Sequence, residues 1–315
     1  MAWEPRIGIG IWSSSAEKLI IPANFVFGDS LVDAAQEMGL AAAGFTPPYL
    51  APTTSGPVIL QGVNFASGAA DCTVCIVMLL QKLIVAMMTD LAQGFKSLTA
   101  DKSVRVIILT ATGASFCSGV DLTAAEDVFK GDVKDVQADP VAQMQLCPKP
   151  IIGAIAGFAV TAGFEIALAC DILVASNDAK FLDTHARFGI FPSWGLSQKL
   201  SRVIGPNKAR EVSLTATPLT ANEAERLGFV NHVVERSELL KKARQIAEAI
   251  IKNNQDMVLR YKAVINDGFN LDLGRALALE KERGHEYYDG MTKEQFQKMQ
   301  EFIASRRLKK PSSKL

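Results

Sequence analysis

One pattern occurs twice between Val104 and Gly195, and it constrains the fold more than any other part of the chain. The apolar run VRVIILT (104–110) leads into the loop TGASFCSGVDL (112–122). The apolar run KPIIGAIAG (149–157) leads into FAVTAGFEIALACD (158–171). Each copy reads as a buried strand, a tight Gly-containing turn and the start of a helix. A turn into a helix N-terminus presents backbone N–H groups without intrahelical acceptors, where negative charge is favoured. Glu165 falls just inside the second helix. Two amide donors beside one carboxylate suit chemistry that passes through an enolate.

The rest of the chain extends the alternation. Strands are expected at Val104–Thr110, in KPIIGAIAG, in DILVAS, in AKFLDTH and in FVNHVV. Helices are expected from Ala86, at Asp132–Leu146, Thr161–Cys170, Ser197–Val203, Pro206–Leu214 and Thr220–Leu227. Thr220 with Glu223 makes a capping box for the last of these. About four helices rich in Lys and Glu follow Ser237. Alternating strands and helices predict an α/β core with parallel pairing.

Several function classes are excluded by composition. Lys+Arg and Asp+Glu are both 33, so no long-range field draws the chain to nucleic acid or an anionic membrane. The longest apolar stretch, Val74–Met88, is interrupted by Gln81 and Lys82, so no membrane span is expected. The short apolar GIGIW is not followed by a cleavage site, and no secretory signal is expected. Five cysteines at irregular spacing suit free thiols better than a disulfide framework. Cys72 and Cys75 form a CxxC that lacks two further ligands, so no metal site is expected. The chain ends Ser313-Lys314-Leu315, which reads as a peroxisomal address for an import receptor.

The ordered segments RVIILTATGASFCSGVDL, PKPIIGAIAGFAVTAGFEIALACDILVAS and AKFLDTHARFGIFPSWGLSQKL resemble the enoyl-CoA hydratase/isomerase (crotonase) superfamily. The likeness covers about residues 85–315 and is similar to plant peroxisomal members. It implies a spiral of ββα units with a C-terminal helical region that assembles homotrimers or hexamers. It implies an acyl-CoA thioester as substrate, with coenzyme A part of that substrate and no separate cofactor. Carried over by position, the backbone N–H groups of Ser118 and Ala162 form an oxyanion hole for the thioester enolate. Ser118, Gly119, Val120, Asp121 and Ala162 line the CoA and acyl site, although Asp121 is most simply a helix cap. Glu165 matches the first catalytic glutamate. The second glutamate of the hydratases aligns with His185, in FLDTHARFG. His185 is either an acid/base partner, since imidazole titrates near neutral pH, or a structural histidine. Asp183, two residues away, is a second candidate carboxylate.

The resemblance therefore implies hydration of trans-2-enoyl-CoA to 3-hydroxyacyl-CoA in fatty-acid β-oxidation, in the peroxisome. One alternative is Δ3,Δ2-enoyl-CoA isomerisation by Glu165 alone. A second is an inactive fusion product, because the family's opening strands and NRP segment are absent from the sequence before Ala86. Val74–Leu80 could stand in for one strand.

A different resemblance covers about residues 21–70. FVFGDSLVD (25–33), GFTPPYLAPTT and GVNFASGAA resemble pieces of plant GDSL esterase/lipases, with Ser30 at the nucleophile position. The GxND and DxxH blocks that would supply oxyanion donors and a base are absent. The histidines are His185, His232 and His285, none of them in a DxxH. Ester hydrolysis through Ser30 is the remaining alternative. The expected organisation is a GDSL-like fragment over 1–75 that is not an independent domain, a core over 76–235 lacking its first strands, and a helical region with its tail over 236–315.

Overall fold

The computed structural model describes residues 9–12, 73–78, 85–111, 114–120 and 135–308. Expectations for Ser30, the GDSL-like blocks and the Ser313–Leu315 address lie outside these residues.

Among the described residues, six strands form the main sheet. They are β1 (Ile9–Trp12), β2 (Thr73–Met78), β3 (Val106–Ala111), β4 (Ile151–Ile155), β6 (Ile172–Ser176) and β9 (His232–Val234), in the order β1-β2-β3-β4-β6-β9. All neighbours are parallel except β1 and β2. Among the described residues two strands precede Val106, and β2 falls where Val74–Leu80 was expected to serve as one. The second sheet holds β5 (Phe158–Val160), β7 (Lys180–Leu182) and β8 (Leu219–Thr220), in the order β5-β7-β8.

The continuous apolar runs are buried on both faces, as strands in a parallel sheet must be. Ile107, Leu109, Ile151, Ile155, Leu173 and Ala175 point into the larger core. Their neighbours Val106, Ile108, Ile152, Ala154 and Val174 point into a smaller one. The larger core is covered by helix α1 (Val85–Ala100), whose Met87, Met88, Leu91, Phe95 and Leu98 are buried. The smaller core is covered by α8 (Leu239–Ile251). Its Leu239, Ala243, Ala247 and Ile251 recur every fourth residue and form one apolar stripe.

The chain passes between the sheets in short steps of two and three residues. β4 is followed by Ala156-Gly157, β5 and then helix α3 (Ala162–Leu168). β6 is followed by a turn at Asn177–Ala179, β7 and then the short helix α4 (His185–Phe188). Gly157 makes the first corner at φ +61°, where an added Cβ would lie 2.0 Å from the Ala114 carbonyl oxygen. This repetition is the spiral of ββα units expected from the sequence.

One helix is shorter than its periodicity suggests. Asp132–Leu146 was expected to be helical, whereas α2 spans Pro140–Leu146. Pro140 cannot donate to a preceding turn and is preorganised for a helix start. Asp139 caps it, its carboxylate accepting from the Ala142 N–H at 3.0 Å.

Helices α5 (Leu196–Ile204), α6 (Pro206–Thr215) and α7 (Ala221–Leu227) follow, as expected. The Thr220–Glu223 capping box on α7 is formed in both directions. After Ser237 come α8, α9 (Gln255–Phe269), α10 (Leu273–Asp289) and α11 (Lys293–Leu308). By contact density the chain divides at Leu259/Arg260, within α9. Because α8 packs on the sheet, it belongs to the first unit. Within the second unit, α9 and α10 meet through an Arg283–Asp267 ion pair at 2.5 Å and Arg260 stacked 5.2 Å from the Tyr287 ring centre. No helix among the described residues is long and apolar enough to cross a membrane.

Candidate active site

The two turns singled out in the sequence lie side by side. The Cys117 N–H donates to the Phe158 carbonyl at 3.0 Å, and the Val160 N–H donates to the Cys117 carbonyl at 2.8 Å. These bonds stitch the Ser115–Val120 loop to β5 and set Ser118 against the start of α3. Gly163 permits the approach. A Cβ there would stand 2.6 Å from both the Cβ and the carbonyl oxygen of Cys117. Gly119, at φ +98°, completes the first turn.

The second turn is strained. Thr161 precedes α3 at φ +50° and ψ −104°, a costly conformation for a β-branched residue. Its N–H donates to the Leu182 carbonyl at 2.8 Å, and its hydroxyl meets the Thr184 hydroxyl. Both contacts tie the turn to the end of β7. The strained residue immediately precedes Ala162, the first residue of α3, which lines the cleft. Among the described residues, no protein acceptor takes the amide of Ser118 or of Ala162.

Glu165 is one turn into α3 and 3% exposed. Phe164 anchors that turn in a cluster with Phe181 and Phe229, with ring centres 5.0–5.5 Å apart. One carboxylate oxygen, Oε1, accepts from the Trp194 N–H at 3.0 Å and the Leu196 N–H at 3.3 Å. The other, Oε2, lies 3.8 Å from Nε2 of His185. Burial pushes the Glu165 carboxyl above its ordinary pKa. His185 and the two amides pull it back, and Asp183 adds to the rise.

His185 opens α4. Its Nδ1 is 2.7 Å from Oδ1 of Asp183, and the same oxygen accepts the His185 backbone N–H at 3.0 Å. Burial would raise the Asp183 carboxyl. Hydrogen bonds from His185 and the Ser213 hydroxyl outweigh it and hold the group below the ordinary aspartate range. Asp183 therefore sits behind the histidine, not in the cleft, and is not the second cleft carboxylate that its sequence position allowed.

Ser118, Gly119, Val120, Ala162, Glu165 and His185 all line one cleft of about 620 Å³, counting its open mouth. Of the site residues carried over by resemblance, Asp121 lies outside the described residues. Phe188, Ile190, Phe191 and Trp194 complete the wall. Phe188 and Phe191 are exposed and make an apolar rim. Sequence reasoning did not pick out Trp194, Leu196 or the rim. The one local signal was the turn-forming run FPSWG, which carries no periodicity. Among the described residues, no three His, Cys, Asp or Glu side chains cluster as a metal site would require.

The arrangement brings the Ser118 and Ala162 turns, a buried carboxylate and an imidazole around one space with an apolar mouth. Fixed amide dipoles stabilise a developing oxyanion with little reorganisation. A carboxyl and an imidazole at 3.8 Å can divide proton transfer between them.

Known proteins resemble this chain over most of its length. The profile of the enoyl-CoA hydratase/isomerase family matches residues 80–309. A protein of Arabidopsis thaliana described as probable enoyl-CoA hydratase 1, peroxisomal, is 70% identical over 257 residues, covering 82% of this chain and 97% of that one. A short-chain-enoyl-CoA hydratase of Clostridium acetobutylicum is 37% identical over 212 residues, covering 66% and 80%. The crystal structure of an enoyl-CoA hydratase from Bacillus anthracis superposes with a TM-score of 0.67 at 32% identity, covering 74% and 93%.

Proposed function

The chain belongs to the enoyl-CoA hydratase/isomerase family, and from that membership we propose that it adds water across the 2,3-double bond of a trans-2-enoyl-CoA, forming a 3-hydroxyacyl-CoA. The observation that carries the reading is the facing of Glu165 Oε2 and His185 Nε2 at 3.8 Å beside the amides of Ser118 and Ala162.

The thioester carbonyl oxygen accepts from the Ser118 and Ala162 amides. Gly119 and Val120 lie along the thioester, and Asp121 follows them in the chain. Water held between Glu165 and His185 gives up a proton to one of them as its oxygen bonds to C3. The C2–C3 π electrons move to the thioester oxygen, where each amide contributes about 2.7–4 kcal/mol. The enolate then collapses and takes a proton at C2 from the other member of the pair. One proton is accepted and one delivered, so the pair returns to its starting state after a proton exchange. Coenzyme A enters and leaves as part of the substrate.

Glu165→Gln tests the reading. Hydration, followed by loss of the enoyl-thioester absorbance, is expected to fall on the order of 10³-fold or more. Hydration at the parental rate would remove Glu165 from the mechanism. A second reading, Δ3,Δ2-isomerisation, is favoured by Glu165 being the one carboxylate that lines the cleft among the described residues. It is separated by offering a 3-enoyl-CoA to His185→Ala: isomerisation that survives while hydration is lost assigns shuttling to Glu165 alone.

The peroxisome is the expected location, supported by Ser313-Lys314-Leu315 and by the description of the Arabidopsis relative. Removing these three residues from a fluorescent fusion is expected to leave it in the cytosol.

A further inference from the structure

We propose that Asp183 is a positioning residue: it keeps a proton on Nδ1 of His185 and so presents Nε2, as the proton-exchanging nitrogen, to the cleft opposite Glu165. The argument starts from what each atom can do. An ionised carboxylate only accepts hydrogen bonds, and a neutral imidazole donates from one nitrogen and accepts at the other. Oδ1 of Asp183 stands 2.7 Å from Nδ1, so Nδ1 carries the proton. The same oxygen accepts the His185 backbone N–H, which fixes the carboxylate against the corner between β7 and α4.

Burial makes the assignment firm. Asp183 is 2% exposed and does not line the cleft. Water therefore does not compete for its oxygens. The Ser213 hydroxyl, from α6, donates to it as well. The corner itself is fixed to the other half of the site, because the Thr184 hydroxyl meets that of Thr161 and the Thr184 N–H donates to it at 3.3 Å. With Nδ1 occupied, Nε2 is left to face Glu165. A separation of 3.8 Å is too long for a direct hydrogen bond and leaves Nε2 available to a water or substrate atom.

The kinetic arm of the test rests on the proposed hydration; the spectroscopic arm does not. Nitrogen-15 shifts of labelled histidine, assigned by the signals lost in His185→Ala, report which ring nitrogen is protonated. Measured about two pH units above the free imidazole value of about 6.5, Nδ1 of His185 is expected to be protonated. A bare Nδ1 with the proton on Nε2 overturns the proposal, whatever the activity proves to be. In Asp183→Asn, kcat is expected to fall on the order of 10²-fold, with KM changing by less than about two-fold. The double variant with His185→Ala is expected to match His185→Ala within about two-fold, because both changes remove one function. Full kcat in a folded Asp183→Asn, or losses that simply multiply in the double variant, would also overturn it. Should Asp183→Asn fail to fold, the spectrum of the parental protein still decides.

Discussion

At the scale of single residues, the site depends on small groups as much as on reactive ones. Gly163 shows why. The start of α3 lies so close to Cys117 that a methyl group would sit 2.6 Å from its carbonyl oxygen, a backbone atom that cannot swing aside. Gly163→Ala is expected to destabilise the protein by about 1–3 kcal/mol, read as a lower midpoint in chemical denaturation. It should also cost activity beyond that loss, because the Ala162 amide moves with the helix start. The glycine was legible as part of a turn, and Glu165 as a carboxylate on a helix start. The partners of Glu165 were not. The Trp194 and Leu196 amides come from 29 and 31 residues along the chain, and a backbone amide has no side-chain signature. Asp183 was legible as a carboxylate beside His185, yet its direction was not. Only the bend after β7 turns it behind the ring.

At the scale of elements, most strands and helices follow from contiguous pattern. The apolar runs at β3, β4 and β6 have both faces buried, so their lack of alternation was itself informative. The α7 start was read from Thr220 and Glu223, and both reciprocal bonds form. Thr220→Ala is expected to cost about 0.5–2 kcal/mol, measured by thermal unfolding. Activity at a temperature well below the midpoint should be unchanged, since α7 does not line the cleft. The misreading of α2 has a physical cause. Apolar residues at helical spacing continue back to Val133, but Asp139 and Pro140 make a cap and an N1 position that start the helix there. Cap chemistry prevailed over periodicity.

At the scale of the whole molecule, the helices after Leu259 leave an unusual amount of apolar side chain uncovered. Ile265, Phe269, Leu273 and Leu277 are all more than half exposed, with Leu273 at 75%. Exposed apolar side chains four residues apart on α9 and on α10 suit an interaction surface, and the family resemblance implies a trimer or hexamer. The mass in solution, measured by light scattering, is expected to be that of three or six chains. Leu273→Glu combined with Leu277→Glu should shift it toward the monomer; an unchanged mass would place the subunit contact elsewhere. Sequence alone determined the α/β class, the two turns, Glu165 and the family, because each is written in neighbouring residues whose period, cap or turn chemistry acts locally. Tertiary structure decided which groups meet. It turned Asp183 away from the cleft, set His185 Nε2 opposite Glu165, brought the Trp194 and Leu196 amides to one carboxylate oxygen, and strained Thr161 where the second turn enters α3. These contacts depend on where the chain returns through two sheets, and no local signal records that return.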